Sequence, residues 1–352
     1  MTIVLVLTAL MALAVFWLWY DKVMQDGFQW HDLLPTFFTV IVTLAFLVPI
    51  HYGVKGNLGS DYMTINGMVL GKAQERTSCE HSYSCNCTTV RTGKTTTRTC
   101  QTCYEHPYDY DWVVNGTVGK TYIGRVDRRG TEEPERFSKV IIGEPYSKQV
   151  EYFNYIKASP LSVFKDYNAY KDLKTPSYPK VYDYYRIKHV INHNSVYVNG
   201  LDDMNYKLSN ALKTTSGKSK VNVLVVWYGG SNDIVEATKV KNFGGRINDL
   251  TVMIKPDKTG QIENVGVFSW SKNDLVNVKI RDDILSIGKV GPETNQKIVD
   301  TINGNVLKYY QKRSNDEFKY LENNIVMPTW VYVLYFFIVG SILGLNIFLR
   351  YK

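Results

Sequence analysis

Apolar positions in this chain are gathered into three long runs, residues 3–20, 33–50 and 325–349, none of which contains an Asp, Glu, Lys, Arg or His. Each approaches the ~20 residues that a helix needs to cross ~30 Å of hydrocarbon, and a core helix would carry a polar stripe, so the pattern predicts three transmembrane helices. Trp17, Trp19, Tyr20 and Trp30 suit an interfacial belt for the first two, as Trp330 and Tyr332 do for the third. No Lys or Arg precedes the first run and no small residues close it, so it reads as a retained anchor and not as a cleaved signal peptide.

The polar remainder changes character near residue 190. Upstream, Thr, Tyr and Pro dominate and short alternating runs predict strands, among them Trp112 to Val126 with a hairpin turn at Asn115-Gly116. The tyrosines read as aromatic packing on half-buried strands, and residues 159–185, with Pro160, Pro176 and Pro179, as connecting structure. Downstream, Leu201, Met204, Leu208, Ala211 and Leu212 recur at helical spacing, with Asp202 and Asp203 in the favoured first turn. Residues 221–228 form a nearly continuous apolar run, the mark of a strand covered on both faces. A helix capped by Ser231 and running through Phe243, which Gly244 ends, follows. Next come two antiparallel strands, 250–254 and 265–269, around a turn at 256–260, then a long helix opened by Pro292.

The expected class is therefore membrane-anchored α+β. Residues 1–53 hold two transmembrane helices (3–20 and 33–50), 54–190 a β-rich region with a cysteine hairpin at 79–106, 191–324 an α/β/α sandwich, and 325–352 the third span and a short basic tail.

Charge bears on sidedness. With 41 Lys and Arg against 33 Asp and Glu, the net charge is +8; without any nucleic-acid motif, this suits anionic headgroups and not RNA or DNA. Weighting the short flanking segments, with Lys22, Arg350 and Lys352, places the large body outside the cytoplasm.

Residues 196–204 (VYVNGLDDM), 223–230 (VLVVWYGG) and 248–254 (NDLTVMI), with the helices between them, are similar to the TPM domain, and the resemblance spans roughly residues 195–320. It implies a small α/β/α module held by membrane helices in bacterial envelopes or thylakoids. It further implies acid phosphatase-like activity or a part in assembly and repair of membrane complexes. The family's acidic-Asn-Gly stretch is matched here by Ile247-Asn248-Asp249, reordered and without the glycine, and its later acidic residue by Asp257.

Eight strand positions would hold Asp249 and Asp257 roughly 26 Å apart, so they cannot share an ion. Antiparallel pairing instead returns Asn273 and Asp274 toward Asp249, making Asp249 and Asp274 the candidate catalytic or divalent-cation pair, with Asp282 and Asp283 as helpers. No nucleophile accompanies them, and solvated loop carboxylates explain them as well. Gly229-Gly230-Ser231 is a second candidate, for an anion at a helix start, although a tight turn needs glycines in any case.

Four of five cysteines, Cys85, Cys87, Cys100 and Cys103, lie within nineteen residues. A two-residue turn at Gly93-Lys94 opposes residues whose numbers sum to 187, so Cys87 faces Cys100 with Cα atoms ~4.5 Å apart, and Cys85 and Cys103 lie one step out. The same mouth could gather four thiolates around zinc, with Cys79, His81 and His106 as substitutes. Compartment decides: outside the cytoplasm, disulfides Cys87–Cys100 and Cys85–Cys103; in a reducing cytosol, zinc. Cys79 is left over in the disulfide arrangement.

The function expected is a non-enzymatic binding or assembly factor for an envelope or membrane complex, working against the bilayer and a membrane protein partner or a second copy. The alternatives are a metal-assisted acid phosphatase-like hydrolase using Asp249 and Asp274, with a divalent cation, and a cytosol-facing zinc-binding interaction module.

Overall fold

The computed structural model describes residues 2–26, 34–93, 95–159, 164, 167–194, 196 and 198–351. Half of the expected loop 21–32 with its Trp30, Pro160, the turn residue Lys94 and the terminal Lys352 lie outside them. The chain divides into two compact units, one of residues 1–61, 152–165 and 315–352, the other of residues 62–151 and 166–314.

The first unit is built from the apolar runs. They form helices α1 (Thr2–Asp26) and α2 (Leu34–Gly59) near the start and, at the end of the chain, a third that begins at Thr329, after Pro328. Among the described residues, α2 and the stretch Thr329–Phe348 are long and apolar enough to cross a membrane. At 1.5 Å per residue, twenty helical residues span about 30 Å, the thickness of the hydrocarbon layer. The first helix has a shorter apolar stretch, Thr2–Trp17. All three share one apolar cluster, in which Val4, Leu7, Leu47, Val331 and Tyr335 are buried. Large apolar side chains on their other sides, such as Leu13, Phe37, Phe38, Ile41, Phe336 and Phe337, are exposed, as suits helices surrounded by lipid tails.

In the second unit, β1 (Ser60–Thr77) leads into a hairpin of β2 (Ser82–Thr92) and β3 (Thr95–Tyr104), then β4 (Asp109–Gly116) and β5 (Gly119–Ile123). After the short helix α3 (Glu135–Ser138), β6 (Pro145–Phe153) completes a four-stranded sheet in the order β5-β4-β1-β6; α4 (Tyr155–Ala158), which follows it in the chain, belongs to the first unit. The β4–β5 turn falls at Thr117-Val118, two residues beyond the expected Asn115-Gly116, since Gly116 pairs with Gly119 inside the ladder. Its glycine serves packing: a Cβ there would lie 2.7 Å from the buried Tyr146 ring.

The second sheet has the order β10-β9-β8-β7, from β7 (Val190–His193), β8 (Asn222–Tyr228), β9 (Asp249–Pro256) and β10 (Ile262–Ser269), parallel except for the β9–β10 pair. Every residue of β8 is buried, as its nearly continuous apolar run predicts. Its odd-numbered Val223, Val225 and Trp227 pack with α5 (Leu201–Ser219), α7 (Leu275–Ile287) and α8 (Pro292–Tyr309). Val226 and Tyr228 pack with Ile234 of α6 (Asp233–Lys241). Helix α6 ends before the expected Phe243, which is itself left-handed with φ 54°. Helix α7, which the sequence reading left out, buries Val276, Ile280 and Ile284, four residues apart on one face. The last helix, α9 (Thr329–Tyr351), is the third apolar helix of the first unit.

At Gly266 of β10 an added Cβ would collide with the side chain of Val235, so strand and α6 approach as closely as a bare backbone allows. Gly266→Ala is therefore expected to destabilise the detergent-solubilised protein by about 1 to 3 kcal/mol, read as a lower thermal unfolding midpoint. A midpoint equal to that of the parent would show that α6 is not held this closely.

Candidate functional site

Asp249 heads β9 and is sealed, being 1% exposed. Its Oδ1 accepts from Asn222 Nδ2 (2.8 Å) and the Tyr178 hydroxyl (3.2 Å), and the Arg246 guanidinium lies 3.4 Å from the centre of the Tyr178 ring. Asn222 Oδ1 accepts from Asn66 Nδ2 (3.0 Å), and Asn66 Oδ1 in turn accepts from Ser147 Oγ (2.7 Å). Asn248 Nδ2 donates to the carbonyl of Thr64 at 2.6 Å. The result is a chain of buried amides and hydroxyls linking β1 and β6 of the first sheet to β8 and β9 of the second. The cavity beside Asp249 and Tyr178 is about 20 Å³, room for one water and no substrate.

Burial pushes the Asp249 carboxyl up to about 6, although Asn222, Arg246 and Tyr178 oppose the shift. Burial likewise raises the Tyr178 hydroxyl well above its ordinary range. Asp274, by contrast, is exposed just ahead of α7. Of the proposed helpers, Asp283 accepts from Asn305 (2.9 Å) and Asp282 pairs with Arg281 (2.9 Å), both on the exposed side of α7. Asp257 closes its own turn, accepting from the Thr259 and Gln261 amides at 2.7 and 2.9 Å. At the glycine turn Ser231 Oγ donates to Asp233 in the first turn of α6, so that helix start already carries an anionic group.

The β2–β3 hairpin follows the expected register from Thr92↔Thr95 to Thr88↔Thr99, turning about Gly93 at φ 65°. A bulge at Asn86, itself left-handed with φ 45°, then shifts the ladder by one residue. The sulfurs lie pairwise at disulfide distance, Cys85 with Cys103 and Cys87 with Cys100, their Cα atoms 5.8 and 4.0 Å apart. No side chain of β2 or β3 is buried.

Cys79, His106 and Asp109 meet where β1 gives way to the hairpin and the hairpin returns into β4. Their ligand atoms lie within 4.8 Å of one another, a triad able to hold a metal ion. Burial raises the Asp109 carboxyl, but the Glu80 amide, the Cys79 thiol, Arg125 and His106 outweigh it and hold it below its ordinary value. The sequence reading named Cys79 and His106 as nearby substitutes but not Asp109. The signal was present as His106-x-x-Asp109 at the foot of the hairpin.

Comparison with protein-family models, curated proteins and solved structures finds no match.

Asp249 makes stability depend on pH. Unfolded, the carboxyl titrates near 3.8; folded, near 6, so the native state binds the extra proton between these values and loses stability as pH rises through them. Asp249→Asn should remove up to about 3 kcal/mol of this dependence, so that its stability relative to the parent climbs from pH 4 to 6 and then levels. Buried His189, lowered to about 4 by desolvation, acts in the opposite direction and is untouched by that change. Parallel pH profiles for the two proteins would contradict the sealed, proton-retaining carboxyl.

Proposed function

We propose that this is a three-span membrane protein whose body lies outside the cytoplasm and serves as a non-enzymatic binding or assembly factor for a membrane complex, its partner a membrane protein or a second copy. The observation that carries the reading is the β2–β3 hairpin, an arm with no buried side chain and two cross-strand cysteine pairs. A lone two-stranded hairpin is marginal in water. Cross-links that persist in an oxidising compartment supply what a core would otherwise give. Exposed Val90, Tyr83 and Tyr104, with Arg91 and Arg98, offer an apolar and cationic surface for a partner.

Two further observations support this over the alternatives. A hydrolase needs its carboxylate in reach of substrate, and Asp249 is sealed among amides while Asp274 stands in solvent. A cytosolic four-thiolate zinc module needs its sulfurs free, whereas these lie in pairs. The packing of helices on both faces of the second sheet suits a TPM-like α/β/α module, whose family includes assembly factors.

Sidedness and binding are testable together. A photo-crosslinking residue at Val90 should capture a discrete membrane-protein species in intact membranes, and one at exposed Tyr206 should not. A protease tag beside Gly93 should be cut from the extracytoplasmic face of sealed vesicles. Cleavage only from the cytoplasmic face would overturn the topology; no captured species at Val90, with the tag cut as expected, would overturn the binding role alone.

Reduction should loosen the arm and spare the rest. With dithiothreitol, amides of residues 82–104 should lose hydrogen-exchange protection while those of β8 and β9 keep theirs, because the arm buries nothing against the core. Equal loss in both regions would show that the hairpin carries the fold.

A further inference from the structure

We infer that Cys79, His106 and Asp109 form a zinc site that pins the foot of the hairpin to the sheet. Two pieces of chain converge there: the segment after β1, and the stretch that runs from the loop between β3 and β4 into the first residue of β4. Cys79 Sγ stands 3.9 Å from His106 Nδ1, which stands 3.4 Å from Asp109 Oδ1. In a tetrahedral zinc site with bonds of 2.0 to 2.3 Å, ligand atoms lie about 3.3 to 3.6 Å apart, so small adjustments would close this set on an ion.

The carboxylate of Asp109 is arranged for one such bond. Its Oδ2 accepts from the Glu80 amide at 3.1 Å and from Arg125 Nη1 at 3.2 Å. Arg125 is itself fixed by Asp111, which accepts from Nη2 at 2.6 Å and from Nε at 3.1 Å. That leaves Oδ1 on a fully buried side chain, without a hydrogen-bond partner and turned to the thiol and imidazole. Second-shell partners that hold a ligand by its far oxygen are what metal centres use to orient it.

The donor set, one sulfur, one imidazole nitrogen and one carboxylate oxygen, favours a borderline-soft divalent ion such as Zn²⁺ over Ca²⁺ or Mg²⁺. His81 does not complete it, since its Nε2 lies 3.1 Å from the Arg128 carbonyl. His106 is 28% exposed, so the fourth position faces solvent and is open to water or a group on a partner. The hairpin would then be held by sulfur pairs along its length and by a metal at its root. The site is independent of membrane sidedness, because its sulfur is not one of the paired four.

The test uses the full-length protein in detergent, purified without chelators. After dialysis against Zn²⁺ it should retain about one equivalent per chain, and Co²⁺ in its place should give a thiolate-to-metal absorption band. Cys79→Ser should abolish the band, and Asp109→Asn or Arg125→Gln should weaken binding about 10- to 100-fold. Added Zn²⁺ should also displace Co²⁺ and bleach the band in the unmutated protein, a readout that does not depend on any variant folding. Retention of zinc undiminished by Cys79→Ser, or no thiolate-to-metal band in the unmutated protein, would reduce the cluster to a plain His106–Asp109 ion pair beside a buried thiol.

Discussion

The second sheet is short and buried on both faces, and much of the molecule's water-facing part follows from that constraint. Strands β8 and β9 cannot place a polar side chain on either face without stranding it among apolar neighbours. Apart from Thr251, the polar residues they carry are therefore pressed to their ends, where Asn222 and Asp249 stand beside each other in the register. Helices α5, α7 and α8 cover one face with a continuous apolar cluster, and α6 the other, so close that β10 must present a glycine at 266.

Those strand ends meet the first sheet through hydrogen bonds. Asn66, Ser147, Asn222, Asp249 and Tyr178 satisfy one another in sequence, with one carboxyl at the end that favours its proton. A seam of this kind contributes little net stability compared with apolar packing, but it is exacting in geometry, since a single displaced partner leaves a buried group unsatisfied. It explains why a residue that looks catalytic in sequence need not be so. A carboxylate beside an amide at a strand end also describes a structural joint.

The hairpin has the opposite character. It contributes no side chain to either core and owes its form to local means: a left-handed glycine at its tip, a bulge at Asn86 and two sulfur pairs. An arm held this way is not anchored to the bulk by packing, and its side chains stay exposed or half-buried. Its root is the exception, where Cys79, His106 and Asp109 gather beside Arg125.

Elements whose pattern is local were legible in the chain. The apolar runs announced the three helices of the first unit, the nearly unbroken stretch at 221–228 announced a doubly covered strand, and counting from Gly93 gave the hairpin register as far as Thr88↔Thr99, because near a tight turn the register is set by the turn. The bulge at Asn86 lay outside that count: beyond it the ladder shifts by one residue, so that Cys85 opposes Gln101 and Cys103 opposes Tyr83. Tertiary structure decided what depends on distant segments. Gly116 looked like a turn and proved to be a slot for the Tyr146 ring, which is thirty positions away. Asp249 looked exposed and proved sealed, because Tyr178 and Asn222 come to it from two separate stretches, with Asn66 held behind Asn222. His106 and Asp109 are neighbours along the chain, but Cys79 joined them only once the hairpin had folded back on itself, a meeting that their spacing alone does not encode.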